Sequence, residues 1–247
     1  MLSLLWIALP AFAQEEVTYE GSYLGDAPAY AKGKPVTISH SGGNLSVRCM
    51  ETQGISARVQ YTVRGTSRPA MEAFGNGVKM AVSGDANGGS VKTVTPSRGA
   101  GVTFTDVVLT VSLPKGTSAL TITQTGTGWV EVFGCAGNLK LSSGAGGAFA
   151  DGAYTSVNLT ASGGSATVEQ AKDVLWTGNS AISAPGGAIT LTFASAQGGK
   201  FSAAGAEVSV QPLVMGTNTP TLVSGSMGVS GPTITLKAKD RVDVKTW

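Results

Sequence analysis

A hydroxyl–glycine pair recurs through the second half of this 247-residue chain, each time just after a short alternating run. Leu120-Thr121-Ile122 leads to Thr125-Gly126, Leu139-Lys140-Leu141 to Ser143-Gly144, Val157-Asn158-Leu159 to Ser162-Gly163, and Val174-Leu175-Trp176 to Thr177-Gly178. The glycines stand 18, 19 and 15 residues apart. A unit this short cannot bury an apolar face of its own, so its repetition requires units that stack and share a core. The expected fold class is all-β: a β-solenoid (β-helix) of short stacked coils, with a β-rich N-terminal portion. A β-sandwich also places short strands between glycine turns and stands as the alternative. The near-constant step favours the solenoid.

The same pattern assigns directions to side chains. Leu139, Leu141, Val157 and Leu159 should point into a shared interior, with Lys140 and Asn158 facing out. Glycine is expected where a coil turns a corner at positive φ, and the preceding hydroxyl should bond the turn backbone.

Composition narrows the classes of function. The 35 glycines come with only 13% charged residues, and Lys+Arg 17 against Asp+Glu 15 leaves a net charge of +2. That balance, with basic residues scattered, argues against nucleic acid or an anionic membrane as partner. Val, Ile and Leu interrupt the polar residues at period two throughout, which argues against disorder.

Residues Met1 to Ala13 are almost wholly apolar and uncharged, and end in Ala11-Phe12-Ala13 before the polar Gln14-Glu15-Glu16. This is the pattern of a secretory signal peptide over residues 1–13, cleaved after Ala13. It lacks a basic n-region, so the true start is expected upstream. No lipobox cysteine follows, so a lipid anchor is disfavoured. No later stretch approaches the ~20 apolar residues of a spanning helix. The expected location is exported: periplasm, cell surface or extracellular.

Two regions follow the signal peptide. Residues 14–114 form an N-terminal β region holding 17 of the 32 charged residues. It carries a hairpin signal at Ser41-Gly42-Gly43-Asn44 and a short helix at Pro69 to Phe74, stopped by Gly75. Residues 115–247 carry the Gly/Ser/Thr-rich repeats, and the charged segment Thr233 to Trp247 is expected to cap the stack. Cys49 and Cys135 are the only cysteines. An even count in an exported chain permits one disulfide between them, and two buried free thiols are the alternative.

Ser112-Leu113-Pro114-Lys115-Gly116 ends a strong strand. Leu120-Thr121-Ile122, Gly128-Trp129-Val130-Glu131-Val132, Gly137-Asn138-Leu139-Lys140-Leu141 and Ser143-Gly144 follow it. This layout resembles the bacterial adhesin-like families, the adhesin-like and head-GIN domains of unknown function, over about residues 55–205. The resemblance implies a β-helix of the bacterial cell envelope and brings no catalytic residues with it.

No nucleophile elbow, phosphate-binding loop, metal-ligand cluster or dinucleotide fingerprint occurs. His40 is the single histidine and lacks the context of a catalytic base. The acids of the repeats, Glu131, Asp151, Glu169 and Asp173, could serve a polysaccharide-degrading module only by converging in space. Asp85-Ala86-Asn87-Gly88 reads as an Asx turn and not a calcium loop. The expectation is therefore an adhesin-like structural or adhesive envelope protein, not an enzyme, with no cofactor or metal. A glycan-binding or polysaccharide-degrading module is the alternative. Trp129, Phe133, Tyr154 and Trp176 are the candidate contact residues for a cell-surface glycan or an envelope protein. Against this, Trp129 and Trp176 could instead close the stack or fill its corners.

Overall fold

The computed structural model describes residues 16–247 apart from 213 and 229. The expected signal peptide and its cleavage site lie outside the described residues. The protein is all-β, with one helix among the described residues. The N-terminal elements are β1 (Val17–Ala27), β2 (Val36–His40), β3 (Leu45–Met50), β4 (Ile55–Gly65), α1 (Arg68–Gly77), β5 (Lys79–Gly84), β6 (Gly89–Val94) and β7 (Val102–Pro114). Then come β8 (Ala119–Gln124), β9 (Val130–Ser143), β10 (Ala148–Ala161), β11 (Ala166–Gln170), β12 (Ser180–Ala184) and β13 (Ile189–Phe193). The last are β14 (Gly199–Ala204), β15 (Glu207–Val210), β16 (Met215–Thr219), β17 (Leu222–Met227), β18 (Thr233–Ala238) and β19 (Arg241–Thr246).

Hydrogen bonding arranges these strands in two ladders. The first runs β1, β4, β7, β3, β9, β10, β11, β13, β19, β15. The second runs β5, β6, β2, β8, β9, β10, β12, β18, β14, β17, β16. Every pairing from β7 to β15 and from β6 to β14 is parallel, and antiparallel strands occur only at the ends. A parallel neighbour requires a crossover, and here the strand of the opposite ladder supplies it. β9 and β10 each run through both ladders. In β9 the bend falls at Gly134 and Gly137, whose φ of 64° and 80° suit glycine and few other residues.

Stack order departs from chain order at both ends. β2–β3 lies between β6–β7 and β8–β9, and β18–β19 lies between β12–β13 and β14–β15. The C-terminal segment, expected as a cap, is therefore an internal unit. Val242, Val244, Ile234 and Leu236 are as buried as any other core residue, so the apolar half of its alternation outweighs its outward charges.

The inward directions are as expected. Leu139 stands beside Val157 and Leu141 beside Leu159, all at most 2% exposed, while Lys140 and Asn158 are exposed. The helix is longer than its expected span: Ser67 caps it by accepting the Ala70 N–H, and Met71 and Phe74 bury against β1 and β4.

The repeat glycines require a different explanation from the one expected. Gly126, Gly144, Gly163 and Gly178 do not have positive φ. A Cβ on Gly126 would fall 1.5 Å from the Gly42 carbonyl oxygen, and one on Gly163 would fall 2.2 Å from that of Ala145. Turns of successive units therefore lie backbone on backbone, and it is this close approach that excludes side chains at most of these positions. Where a corner lacks backbone partners, a buried glutamine supplies them. Gln124, Gln170 and Gln197 accept the N–H groups of Gly144, Tyr154 and Trp176, and donate to carbonyls nearby.

Cys49 and Cys135 form a disulfide, with Cα atoms 4.9 Å apart. It joins the end of β3 to the bend of β9, so neighbouring units are tied covalently. The two-thiol alternative is excluded.

Candidate functional site

The outward residues of the two ladders differ in chemistry. On the second ladder, Thr37, Thr121, Lys140 and Asn158 follow one another in register, as do Ser39, Thr123, Ser142, Thr160 and Ser183. Lys92 and Lys237 continue the latter row at its two ends. No carboxylate occupies an outward position from β6 to β18. The surface is a hydroxyl array with sparse lysines, and a shallow depression of about 230 Å³ runs across its middle.

The first ladder carries the acids and the aromatics. Glu131 sits between Ser46 and Phe149, and Phe133 between Arg48 and Asp151, with Glu169 beside Asp151. The Phe133 and Phe149 rings are 5.3 Å apart, and the Arg48 guanidinium lies 4.9 Å from the Phe133 centroid. Phe133 is thus occupied by neighbours of its own chain and is only half-buried. Asp173 lies in the loop after β11, apart from this row. No cluster of three or more His, Cys, Asp or Glu suited to a metal occurs among the described residues.

Beside this row, Trp129 is 49% exposed. It borders a groove of about 390 Å³ with Asn44, Ser46, Val108 and Glu131. The backbone of Trp129 is fixed on both sides: its N–H donates to Asn44 Oδ1 at 2.9 Å, and its carbonyl accepts the Leu45 N–H at 2.8 Å. Its ring rim lies over Gly147, where a Cβ would come within 2.7 Å of two ring carbons.

Of the four expected contact residues, Tyr154 and Trp176 are in the core, at 0% and 2% exposure. Neither can touch a partner, which corrects that expectation. Tyr154 fills the bend of β10 and donates to the Asp151 carbonyl, and burial pushes its phenol pKa upward. Trp176 fills a corner against Phe193, with ring centroids 6.4 Å apart. Alternation could not separate these from Trp129, because both buried aromatics lie at irregular corners. Val108 and Asn44 were missed because they come from strands and turns distant in sequence.

His40 is buried, with Nδ1 2.5 Å from Thr93 Oγ1. Asp85 Oδ1 accepts the N–H groups of Asn87 and Gly88, which is the expected Asx turn.

No protein-family model matches the chain, and no curated protein does. It is similar to solved structures of candidate adhesins. A candidate cell adhesion protein of Clostridium sporogenes ATCC 15579 is 13% identical, covering 93% of this chain and 100% of its own, with a TM-score of 0.48. A candidate adhesin of Bacteroides fragilis NCTC 9343 is 11% identical, covering 95% and 98%, with a TM-score of 0.46. A candidate adhesin of Parabacteroides merdae ATCC 43184 is 10% identical, covering 94% and 96%, with a TM-score of 0.37.

Proposed function

We propose that this chain is an exported, adhesin-like protein of the bacterial cell envelope, a β-solenoid scaffold that acts by surface contact and not by catalysis. Parallel register through successive units supports the solenoid over a sandwich of antiparallel hairpins. The observation that carries the reading is the outer surface: a long hydroxyl array on one ladder, an exposed indole on the other. Asp151 and Glu169 stand side by side on an open sheet, where they cannot flank a substrate from opposite sides as a glycosidase pair does. The disulfide supports export, since such bonds persist in oxidising compartments. No described helix is long and apolar enough to cross a membrane.

Fractionation of the producing bacterium tests the first half, with alkylation state as a second readout. Disulfide-bonded protein should be recovered from the periplasm, surface or medium, and reduced protein confined to the cytoplasm would refute export. Beads coated with the mature chain should adhere to bacterial or host cells above albumin-coated beads, and equal adherence would refute the adhesive role.

A further inference from the structure

Taking the adhesive reading as its basis, we infer that the groove beside Trp129 binds a neutral glycan, with one sugar ring lying on the indole and its hydroxyls bonded to Glu131 and Ser46. A large aromatic left half in solvent forgoes part of the stabilisation that full burial would give it. Trp129 does so while held in place: its N–H and carbonyl are both bonded, and Gly147 leaves room for its rim. An indole presents a flat apolar face with a polar edge, suited to a ligand with one apolar and one wet side. A sugar ring has that form, with C–H groups on its faces and hydroxyls around its edge.

The remaining lining selects within the possible ligands. The Glu131 carboxylate accepts hydrogen bonds, and the Ser46 hydroxyl both donates and accepts, which matches sugar hydroxyls. No Lys or Arg lines the groove, so an anionic glycan or nucleic acid meets a carboxylate and no counter-charge. A peptide would need a free strand edge or a row of apolar pockets. This groove lies on the face of a continuous ladder, and beyond Trp129 its only apolar side chain at the surface is Val108.

Native affinity electrophoresis of the mature, disulfide-bonded protein tests the site, with two neutral soluble polymers, laminarin and hydroxyethylcellulose, and polygalacturonate as the anionic comparator. At least one neutral polymer should retard the protein. Trp129→Ala should weaken that binding at least tenfold, Trp129→Phe by less, and Glu131→Ala should fall between wild type and Trp129→Ala. Lys140→Ala, on the other ladder, should bind as wild type does. Trp129→Ala and Trp129→Phe should still unfold in one cooperative transition, measured alongside, so that lost binding is not read from lost fold. Failure of both neutral polymers, retention unchanged in Trp129→Ala, or binding to polygalacturonate alone would each overturn the glycan site. Cell adherence measured on the same proteins separates the two readings. Adherence without glycan binding overturns the site alone, and glycan binding without adherence overturns the adhesive role alone.

Discussion

Gln124 spans three units of the stack through one amide. Its Oε1 accepts the Gly144 N–H at 3.1 Å, and its Nε2 donates to the carbonyls of Gly43 and Gly128 at 2.9 and 3.1 Å. Gln124→Leu is close in volume and removes these three bonds together with the longer ones to the Gly42 carbonyl and from the Ser143 hydroxyl. A buried group left unsatisfied costs about 1–3 kcal/mol, so the loss in a urea melt should be at least ~3 kcal/mol. Thr123→Val next door, on an exposed position, should stay within ~0.5 kcal/mol. Equal effects would mean that water takes over the amide's role.

The inward register makes a paired prediction. Leu141→Ala should cost ~2–5 kcal/mol, since its neighbours Ile122 and Leu159 are fixed in the adjoining strands and cannot close the cavity. Lys140→Ala should stay within ~0.5 kcal/mol. Unfolding midpoints that showed the reverse would place the chain one residue out of register.

Removing the disulfide should be costly because of where it falls. The bridge spans 86 residues. A loop of this length corresponds to about 4–5 kcal/mol in the chain-entropy model. The Cys49→Ala/Cys135→Ala double variant, or wild type kept reduced, should lose stability of that order. Guanidinium melts with and without reductant check it, and coincident curves would show that the stack holds these ends together unaided.

Acid sensitivity should trace to His40. Burial holds its imidazole down at about 4, against a smaller upward pull from backbone contacts with Val107 and Asn44. The unfolded chain, with a value near 6.5, takes up the proton first. Stability is therefore complete above pH 6.5, declines as pH falls from 6.5 to 4, and levels off below, a total on the order of 3 kcal/mol. Over pH 6.5 to 5, before most carboxylates titrate, wild type should weaken while His40→Gln stays flat. Parallel slopes in urea melts would assign the effect to other groups.

Much of the interior was legible in the sequence, because period-two alternation is the direct signature of a strand with one face in a core. Leu139, Leu141, Val157 and Leu159 needed nothing further. The cysteine pair was legible as a possibility and acquired its meaning only when β3 and the bend of β9 proved to be neighbours. The glycines were visible, but their role was not. Local sequence can announce a turn, and only the stacked turn beneath it shows that a side chain has no room. The groove was half legible: Trp129 and Glu131 belong to one strand entry, whereas Asn44, Ser46 and Val108 arrive through pairings between distant segments. The place of β18–β19 was hidden for the same reason, since no local pattern records which neighbour a strand will choose.

That place bears on when the protein can fold. β14–β15 is synthesised before β18–β19 yet rests against it, with no direct ladder to β12–β13. While residues 233–246 are still on the ribosome, the unit emerging before them has no surface to dock on, and the stack stops at β13. Completion has to await a segment that inserts between two others, a non-local and hence slow step.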